Sequence, residues 1–164
     1  MKFNTKVIHG GQHHDPSTGA VMPPIYHTST FAQKSPGVHT GYEYSRADNP
    51  TRTALEHALE SIENGARGLA FSSGLAAIDC VLRLLKPNDE VIAMDDLYGG
   101  TYRLFTRFYQ DLGIKFHFIN MNDLELFQSK INANTKLVWI ETPTNPLMKL
   151  ADIEAIAKIT KQNN

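Results

Sequence analysis

Cysteine is almost missing from this chain. The only one among 164 residues is Cys80, so no intrachain disulfide can form, which fits a reducing compartment such as the cytoplasm. Cys80 lies in an apolar helical pattern and reads as a small core residue. Long apolar runs are missing as well. Apolar stretches are short and interrupted, and none has the length to cross a bilayer. Behind Lys2 and Lys6 there is no apolar segment of the kind a secretory signal carries. Neither charge sign is in excess: the net charge is −1. A polyanion binder carries a basic surplus, so nucleic acid is not an expected partner. His9, His13 and His14 have no Cys or acidic ligands clustered near them and read as a polar loop rather than a metal site. Neither the glycine fingerprint of dinucleotide sites nor that of the P-loop occurs. What is present is ordinary for a globular protein, with 41% apolar and 20% charged residues. The length suits one domain, or one domain plus an arm.

Two regions differ in pattern. Residues 9–50 are rich in Gly, Pro, His, Ser and Thr and keep no period of 3.6 or 2. So long an irregular stretch is unusual inside a compact domain. Residues 1–48 are therefore expected to form an arm that lies on another surface, such as a second subunit. From Asn49 the pattern is regular. Asn49-Pro50 reads as N-cap and first helical residue, and Ala54, Leu55, Ala58, Leu59 and Ile62 form one apolar stripe. Gly65 follows as the expected stop. Strands are then expected at Gly68–Phe71, Glu90–Met94, Lys115–Ile119 and Lys136–Ile140. Helices are expected at Leu75–Leu85, Gly99–Leu112, Asp123–Ile131 and from Ile153. This alternation predicts an α/β fold with a parallel-rich sheet and helices on both faces. No strand follows the last helix, so the sheet looks unfinished, although a complete α/β domain can also end on a helix.

Ligands of open parallel sheets bind beyond the carboxyl ends of the strands, so the loops after strands carry the chemistry. Ser72-Ser73-Gly74-Leu75 opens a helix, where free N–H groups and the positive dipole end suit a phosphate. The same residues also read as a plain Ser N-cap with a glycine in the first turn. Tyr98, before Gly99-Gly100, can stack on a flat ring or lie as an aromatic lid on the core. Asn145, between Pro143 and Pro146, can donate from a fixed amide or simply form an Asx turn. Tyr44 and Arg46, two residues apart, share a face of an extended segment and both suit phosphate, or they form a solvated loop.

Taken in order, these segments resemble the cystathionine γ-lyase and γ-synthase family of pyridoxal 5'-phosphate (PLP) enzymes of Cys/Met metabolism. The resemblance runs from Thr5-Lys6-Val7-Ile8-His9-Gly10-Gly11 and Pro23-Pro24-Ile25-Tyr26 through Tyr44-Ser45-Arg46 and Asn49-Pro50-Thr51-Arg52. It continues through Ser73-Gly74-Leu75-Ala76-Ala77 and Asp96-Leu97-Tyr98-Gly99-Gly100-Thr101 to Glu141-Thr142-Pro143-Thr144-Asn145-Pro146. Each motif is weak alone; the ordered set is specific. It implies an aspartate-aminotransferase-like (fold type I) large domain, truncated, behind an extended N-terminal arm. It implies that Tyr44 and Arg46 reach the cofactor phosphate of a neighbouring subunit, and that Gly74 and Leu75 give backbone N–H groups to the phosphate. Tyr98 would stack on the pyridine ring and help proton transfer. Asn145 would sit near the cofactor's 3′-oxygen and the substrate carboxylate, and Arg103 near the substrate's distal group. It also implies a homotetramer built as a dimer of dimers.

The family carries, beyond the Asn145 loop, an aspartate for the pyridinium nitrogen and a Schiff-base lysine in a Ser/Thr-rich segment. No lysine of this chain lies in such a segment. The expectation is a γ-elimination or γ-replacement enzyme of sulfur amino acids or activated homoserine, with this chain alone inactive. The other reading is a non-catalytic α/β binding or scaffolding module. A lysine in a Ser/Thr-rich loop following Asn164 in the gene would separate the two.

Overall fold

A computed structural model describes residues 1–163. The chain divides into two compact units, Met1–Phe71 and Ser72 onward.

In the first unit, α1 (Phe3–His9) packs on α2 (Pro50–Glu63). The α2 start follows its local chemistry: the Asn49 side chain accepts from Thr51 N–H at 2.9 Å, and Pro50 takes the first helical position. Its end falls one residue before the glycine, because Asn64 itself takes the left-handed conformation at φ 52°. The segment between the helices is irregular but anchored. Thr51 Oγ1 accepts from Tyr26 N–H at 2.9 Å and donates to the Pro24 carbonyl at 3.2 Å. Asn49 Nδ2 donates to Tyr26 O at 3.2 Å and Ser45 Oγ at 2.9 Å. Compactness thus groups α2 with the arm, while the change of sequence pattern falls at 48/49.

The second unit is built on a three-stranded parallel sheet of order β2-β1-β3. Its strands are β1 (Glu90–Met94), β2 (Lys115–Ile119) and β3 (Thr135–Trp139). All five residues of β1 are buried, as a nearly continuous apolar run in a central strand requires. The helices are α3 (Gly74–Leu82), α4 (Gly99–Leu104), α5 (Leu124–Lys130) and α6 (Ile153–Gln162). Ser73, Asp123 and Asp152 cap α3, α5 and α6 through bonds from Ala76, Leu126 and Ala155 N–H. Helix α4 continues as one π-helical turn, Phe105–Tyr109, in which Gln110 N–H bonds to Phe105 O at 2.9 Å. Phe105 and Tyr109 are both buried there. Phe105 stacks on Phe116 of β2 with centroids 4.6 Å apart and meets Trp139 of β3 edge-on at 5.8 Å. Tyr109 donates to the Asp79 carboxylate of α3 at 2.7 Å, and burial first, then this bond, pushes its phenol up to about 12.

At the amino edge of the sheet, Glu90 accepts from Asn132 Nδ2 and pairs with His117 Nε2, each at 2.8 Å. Those two contacts, Asn132 foremost, hold its carboxyl below the usual range.

Three sequence expectations change. Gly68–Phe71 is not a strand. A strand exists only where a neighbour completes its ladder, and here Ala70 N–H is taken by the Glu56 carboxylate at 2.9 Å instead. Cys80 is exposed rather than a core residue, because the short α3 turns Leu82 inward and Cys80 outward. Tyr44–Ala47 is a turn, with Ala47 and Asp48 N–H both bonded to Tyr44 O at 3.0 Å, rather than an extended segment.

Candidate functional site

The loops that follow β1 and β3 leave parallel strands at the same edge, and side chains tie them together. Tyr98 is the residue before α4. Its N–H donates to Glu141 Oε2 at 2.8 Å, and Thr101 in the first turn of α4 donates from Oγ1 to Glu141 Oε1 at 2.9 Å. Glu141 follows β3, so one carboxylate from that loop caps the helix that begins at the other, where negative charge suits the dipole. Asp96 is buried and accepts from Thr144 Oγ1 at 2.5 Å and Leu147 N–H at 2.9 Å. Lys149 pairs with Asp95 at 2.7 Å.

These bonds leave two polar side chains free at the surface. Tyr98 is 48% exposed, and among the described residues its hydroxyl has no hydrogen-bond partner. Its ring lies over Gly100, where a Cβ would collide with it, so the absence of a side chain at Gly100 is what lets the ring sit there. Asn145 is exposed between two cis X-Pro bonds, Thr142-Pro143 and Asn145-Pro146. Its amide too is unpartnered among the described residues.

Helix α3 begins at Gly74 and packs on α4. The hydroxyl of its N-cap Ser73 accepts from Ala76 N–H and the Ser73 carbonyl from Ala77 N–H, which leaves the Gly74 and Leu75 N–H groups without a partner among the described residues. A Cβ at Gly74 would meet nothing within 4 Å, so an anion has room to approach the free N–H groups. Arg103, one turn into α4, folds back along the helix: a Cβ placed on Gly99 would lie 3.5 Å from its Nη1. It is exposed and has no ion pair among the described residues.

In the first unit, the turn at Tyr44 stacks the Arg46 guanidinium over the Tyr44 ring, 4.8 Å from its centroid. Both residues are exposed. The pair therefore presents a cation and a phenol outward from its own unit. No group of three or more metal-ligating residues occurs among the described residues.

Thus the second unit brings the Tyr98 and Asn145 loops into one bonded assembly, with the α3 start and Arg103 on helices α3 and α4. Tyr44 and Arg46 form a separate pair. The carboxylates of Asp96 and Glu141 carried no role in the sequence reading, although both stand within quoted motifs. Only their distance in sequence from Thr144 and Tyr98 concealed them. A phosphate facing free helix N–H groups, a planar ring facing an exposed phenol and an oxygen facing a free amide are the chemical features of PLP, so the residues fit that cofactor.

Comparison with known proteins agrees. The sequence model of a family described as Cys/Met metabolism PLP-dependent enzyme matches residues 4–164. A cystathionine beta-lyase of Coxiella burnetii is 51% identical over 163 residues, which are 99% of this chain and 42% of the relative. A probable cystathionine gamma-synthase of Herpetosiphon aurantiacus is 52% identical, over 98% of this chain and 50% of that protein. A cystathionine gamma-lyase of Bacillus subtilis is 50% identical, over 99% and 43%. Among solved structures, metB from Corynebacterium glutamicum superposes with a TM-score of 0.93 at 43% identity, covering 100% of this chain and 43% of that one. Cystathionine gamma-lyase from Lactobacillus plantarum, complexed with L-serine, gives 0.92 at 44% identity, covering 99% and 42%. The chain spans half or less of the length of these relatives.

Proposed function

Because the chain belongs to the PLP-dependent enzymes of Cys/Met metabolism, we propose that it supplies part of the active site of an enzyme acting at the γ-carbon of sulfur amino acids or activated homoserine, of the cystathionine γ-lyase or γ-synthase type. The observation that carries this is the bonded pair of loops that leaves the Tyr98 phenol and the Asn145 amide free beside α4. When bound, PLP supplies the electron sink that acidifies the Cα and then the Cβ hydrogens of an amino acid, so that a γ-substituent can leave.

The chain's own residues take the following parts. Gly74 and Leu75 hold the phosphate through backbone N–H groups. Tyr98 stacks on the cofactor ring and takes or returns a proton at its phenol oxygen. Asn145 donates from its amide to the ring oxygen and to the substrate carboxylate. Arg103 orients the distal end of the substrate. Tyr44 and Arg46 complete the phosphate site of a neighbouring copy, within a dimer of dimers located in the cytoplasm. On this reading the arm, residues 1–48, serves that neighbour, and residues 49–164 are the N-terminal part of the PLP-binding domain. The pyridinium aspartate and the Schiff-base lysine are not among residues 1–164, so the chain alone is inactive. Elimination at the β-carbon is the second reading, favoured by the 51% identity to the Coxiella protein.

A chimera tests this. Residues 4–164 replace the matched segment of the Lactobacillus plantarum γ-lyase, and cystathionine cleavage is followed. Turnover is expected, with release of cysteine and 2-oxobutanoate, and Tyr98→Phe should lower kcat by about 10²–10⁴-fold, as loss of a proton-transfer group does. A chimera that folds and binds PLP yet turns over at the same rate after the Tyr98→Phe change would contradict the role of Tyr98, and release of homocysteine and pyruvate would favour the second reading. Treatment of the 164-residue chain alone with PLP and borohydride should label no one lysine stoichiometrically.

A further inference from the structure

Asp96 is only 8% exposed. A buried carboxylate needs donors to offset the loss of water, and here both come from the opposite loop. Thr144 and Leu147 donate to it across 48 and 51 residues of sequence, and they bracket Asn145. Thr144 is itself almost fully buried and also takes Lys149 N–H on its Oγ1 at 2.8 Å. Its hydroxyl is thus the joint of the connection. Glu141 runs in the opposite direction. It stands four residues before Asn145 and accepts from the Tyr98 N–H and the Thr101 hydroxyl. Each loop therefore holds a carboxylate whose donors flank, or belong to, the ligand-facing residue of the other. Among the described residues neither carboxylate bonds to the free phenol or amide, so their effect is to set position rather than to react. Small displacements of such groups cost large factors in rate and binding.

Resting on the cofactor reading above, we propose that Asp96 and Glu141 are positioning residues: Asp96 fixes Asn145, Glu141 fixes Tyr98, and the two loops order or loosen together.

The test uses the 164-residue chain and two measurements. Amide hydrogen exchange is followed in peptides covering residues 95–101 and 141–149. Asp96→Asn, Glu141→Gln and Thr144→Val are expected to speed exchange in both peptides, while Thr144→Ser, which keeps the hydroxyl, exchanges as the parent does. Loosening confined to the substituted loop, or equal loosening by Thr144→Ser and Thr144→Val, overturns the proposal. Because Thr→Val keeps shape, this pair remains informative if Asp96→Asn does not fold. Affinity for PLP and for inorganic phosphate is then compared. PLP binding should weaken roughly tenfold in Thr144→Val, the worth of about one buried hydrogen bond. Phosphate binding should hold, since Gly74 and Leu75 are untouched. Equal weakening of both ligands, or of neither, overturns the positioning role. Failure of the unaltered chain to bind PLP at all would instead count against the cofactor reading, and the exchange measurement would still decide whether the loops are coupled.

Discussion

Between Leu82 and Ile156 the second unit buries thirteen apolar residues, among them Phe105, Phe127, Ile92 and Met94, whereas in Met1–Phe71 the only buried residues are Gly10 and Asp15. The first unit is ordered by side chain to backbone bonds instead. Asp15 alone accepts from Ser17 N–H, Thr18 N–H, the Ser17 hydroxyl and the Tyr26 hydroxyl. Such bonds exchange one polar partner for another and leave a small net gain, while burial of apolar surface drives folding. Polar ties can therefore shape a segment without hiding its apolar side chains. Ile25 remains 78% exposed, Met22 72% and Ile8 63%. A surface of that kind suits the proposed packing of the arm on a neighbouring copy.

The largest expected effect separates the two units by their cores. Phe127→Ala should destabilise the second unit by about 3–5 kcal/mol, a core truncation with its cavity. Leu59→Ala on α2, where the side chain is 44% exposed, should stay within about 0.5 kcal/mol. Urea unfolding of the two variants measures both, and equal losses would abolish the contrast. An intermediate effect belongs to Gly11. Its φ is +69°, and a Cβ there would collide with the His57 carbonyl of α2. Gly11→Ala should cost about 1–3 kcal/mol of strain and speed amide exchange in residues 3–9 and 50–63, with residues 90–140 unchanged.

How far these contrasts could be read beforehand depends on the range of the forces involved. The start of α2 was legible because Asn49 and Pro50 act on their own turn. The central strand was legible because Val91–Met94 is a run of apolar residues preceded by a polar turn, and its length fits a strand. Gly68–Phe71 has the same look, yet strand character depends on a partner that local sequence does not specify. The seven residues of α1 are too few for a periodic signal, and the π-helical turn at Phe105–Tyr109 is set by where two aromatic rings must point in the core. For the site, Tyr98, Asn145 and the α3 start could be picked out as loop residues of the right chemistry. The bonds that tie the two loops through Asp96 and Glu141 could not, since their donors Tyr98, Thr101, Thr144 and Leu147 lie forty or more residues away.

The smallest effect expected is local and acidic. The bonds from Ser17, foremost that of its hydroxyl, lower the Asp15 carboxyl from 3.8 to about 2. A depressed carboxyl stabilises the fold fully above its unfolded pKa, and that contribution is lost as pH falls through the folded value. The Asp15 turn should therefore hold above pH 3.8 and open as pH approaches about 2. An NMR titration following the Ser17 and Thr18 amides reads it, and Asp15→Asn should remove the transition. A transition in those amides near pH 6 would mean that another group governs the arm.

Trp139 is the only tryptophan in the chain, and its indole N–H donates to Glu141 Oε1 at 3.3 Å. That oxygen also receives the Thr101 hydroxyl, while its twin receives the Tyr98 amide. The chain's one indole fluorophore is thus bonded to the carboxylate that holds the start of α4. Indole emission responds to the strength of its N–H bond and to quenchers nearby, so its wavelength and yield should follow the Tyr98 loop without any label. A stopped-flow trace of Trp139 emission on adding a ligand would give the rate at which that loop settles.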